Sequence, residues 1–130
     1  MRILGIDYGT RRVGIALSDE RGDFAYPHSV ILNNNKLLQS IAELCQKEQV
    51  GQIVIGESKD FSGQPNIVME DILKFVEKMT AEIKIPIAYE PEFLTSAEAD
   101  QVVGKDDETD ARAAAIILRS YIARQGKNTL

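Results

Sequence analysis

Three strand-like runs, Ile3 to Asp7, Val13 to Ser18 and Phe24 to Val30, crowd into the start of the chain with no room between them for a helix. The connections, Tyr8-Gly9-Thr10 and Asp19-Glu20-Arg21-Gly22-Asp23, are built from turn residues. Strands joined this tightly must run antiparallel, so the chain opens as a three-stranded meander. In the second strand Val13, Ile15 and Leu17 alternate with Gly14, Ala16 and Ser18. One face can therefore carry bulky side chains, while the other suits a helix lying close to the backbone.

Beyond Asn34 the apolar period lengthens. Leu37, Leu38, Ile41, Leu44 and Cys45 mark one face of a helix that ends before Val50-Gly51. Ile53-Val54-Ile55 is a short strand of the kind buried on both faces. A polar loop from Gly56 to Gln64 leads to Pro65 at a first helical position, followed by the stripe Val68, Ile72, Phe75, Val76, Met79 and Ile83. Ile85 to Glu90 is the fifth strand. Thr95 and Glu98 have capping-box spacing and open a short helix to about Val103. The last helix starts near Thr109 or Asp110 and buries Ala111, Ala114, Ala115, Leu118, Tyr121 and Ile122, leaving residues 125–130 as a frayed tail.

This βββ-α-β-α-β-α-α order predicts an α/β fold: a five-stranded mixed sheet of order 3-2-1-4-5, strand 2 antiparallel, flanked by helices. Right-handed crossovers make strands one, four and five parallel. Their carboxyl ends border the crevice where open α/β sheets hold ligands. Asp7, Glu57 and Glu92 stand at or just beyond those ends, and Asp110 reaches the same crevice if the last helix crosses the sheet beside strand one. Carboxylates from separate segments repel when they converge, unless a hard cation such as Mg²⁺ compensates them. Each has a plainer alternative: an Asx-type turn for Asp7, helix capping for Asp110, and solvated loop positions for Glu57 and Glu92. Arg11 and Arg12 are solvated turn residues unless a phosphate backbone passes the crevice, and His28 is a polar edge residue.

A chain of 130 residues with 44% hydrophobic content suits one domain, residues 1–130. No apolar stretch of ~20 residues could span a bilayer, and the first residues do not have the sections of a signal peptide, which predicts a soluble, cytoplasmic protein. The single cysteine, Cys45, is expected to be a buried structural thiol. A net charge of −5 speaks against general electrostatic binding of nucleic acid. The charge is uneven, however: acids crowd residues 98–110, while Arg11, Arg12, Arg112, Arg119 and Arg124 fall near the two ends.

The motif "GIDYGTRRVGIALSD" resembles the opening signature of the YqgF family of pre-16S rRNA nucleases, Holliday-junction-resolvase-like members of the RNase H-like superfamily. "TDARAAAIILRSYI" is similar to the family's closing helix, and "PIAYEPEFLTSAEA" aligns with its Asp-Glu-Arg-Leu-Thr-Thr segment, placing Glu92 on the family glutamate. Pro91 and Phe93 depart from the family's aspartate and arginine. Glu57-Ser58 replaces Leu-Pro, putting Glu57 where related resolvases carry an acidic ligand.

The resemblance implies an RNase H-like domain and a metal-dependent endonuclease that processes the 5′ end of pre-16S rRNA in ribosome biogenesis. Asp7, Glu92 and Asp110 would be catalytic and, with Glu57, would hold two Mg²⁺ or Mn²⁺ ions roughly 4 Å apart; Arg11, Arg12 and Arg112 would contact nucleic acid. The implied partners are pre-rRNA or branched DNA and ribosomal particles, with no membrane, and the chain would act as a monomer or weak homodimer. The alternatives are a Holliday junction resolvase-like DNA endonuclease and a catalytically weak module that binds RNA or the ribosome. "GIDYGT" also resembles the phosphate hairpin of the actin, sugar-kinase and chaperone ATPases, but those close two such domains over a nucleotide.

Overall fold

The computed structural model describes residues 1–59, 67–93 and 107–126. Five strands, β1 (Arg2–Asp7), β2 (Arg12–Ser18), β3 (Ala25–Leu32), β4 (Val50–Lys59) and β5 (Ile87–Phe93), form one sheet of order β3-β2-β1-β4-β5. The pairs β1–β2 and β2–β3 are antiparallel, and β1–β4 and β4–β5 are parallel. This is the expected mixed sheet. The described helices are α1 (Leu37–Lys47), α2 (Ile67–Glu82) and α3 (Asp107–Gly126). Among the described residues no helix is long and apolar enough to cross a membrane.

Strand alternation divides the core into two layers. Leu4 and Ile6, Val13, Ile15 and Leu17, and Ile53 and Ile55 pack with Leu37, Ile41 and Cys45 of α1 and Met69, Ile72, Phe75 and Met79 of α2. On the opposite face Ala16 and Val54 pack with Ala114, Ala115, Ile117 and Leu118 of α3. The small residues foreseen on the even positions of β2 are what let α3 settle there. Gly5 extends this on β1, since a Cβ at that position would come within 2.9 Å of Leu118 Cβ. Tyr121 and Ile122, expected in the core, are only partly buried, whereas Ile117 is enclosed.

The end of the sheet near the site departs from the sequence expectation. Gly56 to Lys59 is strand rather than loop, because the backbone ladder continues through Gly56↔Glu90, Glu57↔Pro91, Ser58↔Glu92 and Lys59↔Phe93. Pro91 and Glu92 thereby lie within β5. A proline is tolerated there because β5 is an edge strand and its missing N–H need break no ladder bond. The last helix begins at Asp107, which puts Asp110 inside its first turn rather than at its cap, and it retains Gln125 and Gly126, expected to fray. Pro65, the helix expected from Thr95 to Val103, and residues 127–130 lie outside the described residues.

His28 is exposed on the outer strand and is the extra residue of a bulge, because Ile15 pairs with Ser29 while Ala16 pairs with Pro27. A proline and a bulge both discourage further pairing at that edge.

Candidate active site

Asp7 ends β1, and its cross-strand partner is Gly14 of β2. The start of α3 rests on that glycine: a Cβ there would lie 2.6 Å from the Asp110 carbonyl carbon and 3.2 Å from Ala111 N. Only glycine admits so close an approach, so the residue paired with Asp7 is also the seat of Asp110. Helix α3 thus brings Asp110 to the end of β1, although the two aspartates are far apart in sequence. The first-turn position also favours a carboxylate, because the peptide dipoles and free N–H groups at a helix start attract negative charge.

Arg12 opens β2 and shares with Gly14 and Ala16 the parity that faces α3. Its Nε lies 2.9 Å from Asp110 Oδ2, with side-chain exposures of 29% and 15%. This sheltered ion pair was not foreseen, because Arg12 read as a turn residue. Arg11 and Arg112 are exposed. The turn after Asp7 is tied to the far end of β3, where Asn33 Nδ2 donates to the Gly9 carbonyl at 2.7 Å and Asn33 N donates to the Arg11 carbonyl at 2.8 Å. Tyr8 anchors the turn from below with its ring centroid 5.3 Å from that of Phe75. Asn33 was missed as a positioning residue; in sequence it blends into the Asn-rich start of α1.

Glu57 follows the alternation of Ile53 and Ile55 and so belongs to the α1 and α2 layer, whereas Asp7 follows Gly5 on the α3 layer. Tyr89 reports the same side: burial pushes its phenol up, and the negative charge of Glu57 adds to the effect. Glu92 is placed by its backbone, opposite Ser58. The structure thus brings together Asp7, Asp110 and Arg12 and sets Glu57 on the other layer. No group of three acidic, histidine or cysteine side chains gathers for a metal ion among the described residues. The donors at the Asp7 and Asp110 end nonetheless suit a hard cation: they are carboxylate oxygens, and one of them already holds a positive group in Arg12.

Glu90 is a second acid that sequence reasoning passed over. It is 3% exposed and accepts hydrogen bonds from Ser120 Oγ at 2.7 Å and Arg124 at 2.6 Å. Because Ser120 and Arg124 are one helical turn apart, a single carboxylate pins the second half of α3 to β5. The signal was present as an acid inside an apolar strand together with an i, i+4 pair of donors.

A mixed sheet of this order, with an acid ending the central strand and another delivered by the helix that crosses it, defines an RNase H-like domain of the RuvC type. The fold is similar to that of Thermus thermophilus RuvC in complex with Holliday junction substrate, with a TM-score of 0.60 and 16% identity over 97% of each chain. It is also similar to the fowlpox virus Holliday junction resolvase, with a TM-score of 0.57 and 13% identity over 95% of this chain and 99% of that one. Within this class the chain belongs to the RuvX family, whose model, described as "RuvX: Holliday junction resolvase", matches residues 1–124. It is 34% identical to a protein of Desulforudis audaxviator named "Putative pre-16S rRNA nuclease", over 99% of this chain and 100% of the relative. A protein of the same name from Clostridium acetobutylicum is also 34% identical, over 94% of this chain and 98% of the relative.

Proposed function

We propose that this chain is a metal-dependent endonuclease that hydrolyses phosphodiester bonds in structured nucleic acid, with the 5′ region of pre-16S rRNA as substrate. The single observation that carries the reading is the seating of Asp110 on Gly14, the strand partner of Asp7. Two carboxylates at one sheet end repel each other, and a cation relieves the repulsion: Arg12 does so at Asp110, and a divalent metal would do so for both. Asp7 and Asp110, joined by Glu92 from β5, would hold the metal. When bound, Mg²⁺ or Mn²⁺ supplies a lowered pKa for the attacking water and charge compensation for the leaving oxygen.

The chain's own residues do the positioning. The Asn33 hydrogen bonds and the Tyr8 ring fix the turn that follows Asp7. Gly14 sets the depth of α3, and the Glu90 contacts hold the helix further along. Arg11 and Arg112 are exposed, so phosphates can approach them from solvent, and such contacts would offset the net charge of −5 locally. The names of the full-length relatives favour RNA; branched DNA is the second reading, favoured by the description of the family.

The test is cleavage of labelled pre-16S leader RNA and four-way DNA junctions with Mg²⁺, Mn²⁺ or EDTA. Metal-dependent cleavage of the RNA in preference to the junction is expected, and the reverse preference would select the resolvase reading. Tight binding with no cleavage in any metal would overturn the enzymatic reading in favour of a binding module.

A further inference from the structure

The ion pair between Arg12 and Asp110 occupies the carboxylate on which the proposed metal site depends. We infer that Arg12 competes with the metal ion for Asp110 and, once displaced, becomes a clamp for a substrate phosphate, so that metal loading and nucleic-acid binding are coupled through one side chain. The inference rests on the reading of Asp110 as a metal ligand.

Three features of the structure support the exchange. First, the pair is direct and partly sheltered, with 2.9 Å between Arg12 Nε and Asp110 Oδ2. A divalent cation arriving at that carboxylate meets a positive charge already in place, and like charges at such separations repel strongly where water is partly excluded. Second, Asp110 does not need Arg12 to remain in position. Its backbone is seated on Gly14, and its carboxylate lies in the first turn of α3, where the helix start favours negative charge. Third, Arg12 has somewhere to go. It begins β2 beside exposed Arg11, and its side chain is 29% exposed, so the residue already borders the solvent from which a phosphate would arrive.

A guanidinium released beside the bound metal would face the next negative group to arrive. Phosphate suits it, since two parallel N–H donors match two phosphate oxygens. Lysine at this position would keep the charge but lose the paired donors. Before loading, Arg12 neutralises part of the acidic end; afterwards the metal takes over that task and Arg12 turns to the substrate. The positive charge is used twice in succession.

The experiment titrates Mn²⁺ calorimetrically into wild type, Arg12→Gln, Arg12→Lys and Asp110→Asn without nucleic acid, then measures RNA binding at constant ionic strength with and without Ca²⁺. Removing the competitor should tighten Mn²⁺ binding by about fivefold or more in Arg12→Gln, while Arg12→Lys stays near wild type. Arg12→Gln should also lose most of the rise in RNA affinity that Ca²⁺ produces in wild type, and Arg12→Lys should recover only part of it. A residue with a merely structural role would not improve metal binding when removed. Equal or weaker Mn²⁺ binding by folded Arg12→Gln, with binding lost in Asp110→Asn, overturns the exchange and leaves the metal site standing. Wild-type Mn²⁺ affinity in Asp110→Asn overturns the metal reading of Asp110 and the exchange with it.

Discussion

Gly14 lies directly beneath the carbonyl group of Asp110, so close that a Cβ on residue 14 would come within 2.6 Å of the carbonyl carbon. The obstacle is backbone on both sides, strand below and helix above, and neither can move aside as a flexible side chain could. Gly14→Ala should therefore lift the start of α3 away from β2. The expected cost is about 1–3 kcal/mol of stability, the usual scale for overpacking. Hydrolysis should fall further than stability does, because Asp110 moves away from Asp7. Denaturant melts and cleavage assays on the same preparation check this; a variant with full activity would show that the contact does not set the catalytic geometry.

Asp7→Asn separates ligation from folding. The substitution keeps size and shape but removes one of two carboxylates that would repel each other without a cation. Turnover should drop by about 10²-fold or more, the scale of losing one group that stabilises the transition state. The melting temperature of the metal-free protein should stay equal or rise. Unchanged hydrolysis by the folded variant would remove Asp7 from the site.

The chain's periodicities were sufficient for the architecture but not for where the strands stop. Alternation in β2 and the helical stripes gave the two layers and the sheet order, because burial on one face leaves a period that composition cannot hide. The extension of β4 through Gly56 to Lys59 was invisible for a physical reason: its residues are polar, and what makes them strand is the backbone ladder to β5. Asp7 and Asp110 were readable as candidates from topology. The Arg12 and Glu90 contacts were not, since each depends on the depth and path of α3 across the sheet.

The Glu90 contacts make a prediction about α3. Arg124→Ala leaves a carboxylate whose side chain is 4% exposed, with Ser120 as its remaining hydrogen-bond donor among the described side chains. Stranding a buried charge is costly, but Arg124 is itself 54% exposed, so the expected loss is about 1–3 kcal/mol rather than the full cost of a buried pair. Glu90→Gln should cost less, because a neutral amide can still accept from Ser120 while Arg124 hydrates. Combining the two should cost less than the sum, and a double-mutant cycle in urea measures the difference. Strict additivity would show that the pair carries no coupling.

Cys45 should behave as a buried thiol with a defined alkaline signature. Burial between the sheet and α1 pushes it from 9.0 up to about 11. Since the folded state holds this proton longer than the unfolded chain does, the contribution is full below pH 9 and is lost as pH rises through about 11. Alkylation at pH 8 should be slow and should follow unfolding. The decline in melting temperature between pH 9 and 11 should be shallower in Cys45→Ala than in wild type, and identical slopes would show that the thiol does not contribute.

The two glutamates at the ends of β4 and β5 give the sharpest test of the site. Glu57 comes from the strand next to β1, which makes it attractive on proximity alone, yet its alternation places it with Ile53 and Ile55 and its charge acts on Tyr89. Both observations put it on the layer of α1 and α2, across the sheet from the α3 seat of Asp110. Glu92 stands one strand further out, opposite Ser58, at a backbone position of the same parity as Glu90, the acid that meets α3. Glu92→Gln should therefore lower metal-dependent cleavage far more than Glu57→Gln, by about tenfold or more between the two variants. Glu57→Gln should instead change the titration of Tyr89, since removing the negative charge lowers a phenol pKa that this charge helps to raise. Ultraviolet difference titration reads the tyrosine, and single-turnover cleavage reads the site. A larger cleavage defect in Glu57→Gln would mean that β4 supplies the ligand and that this chain has rearranged the site around it.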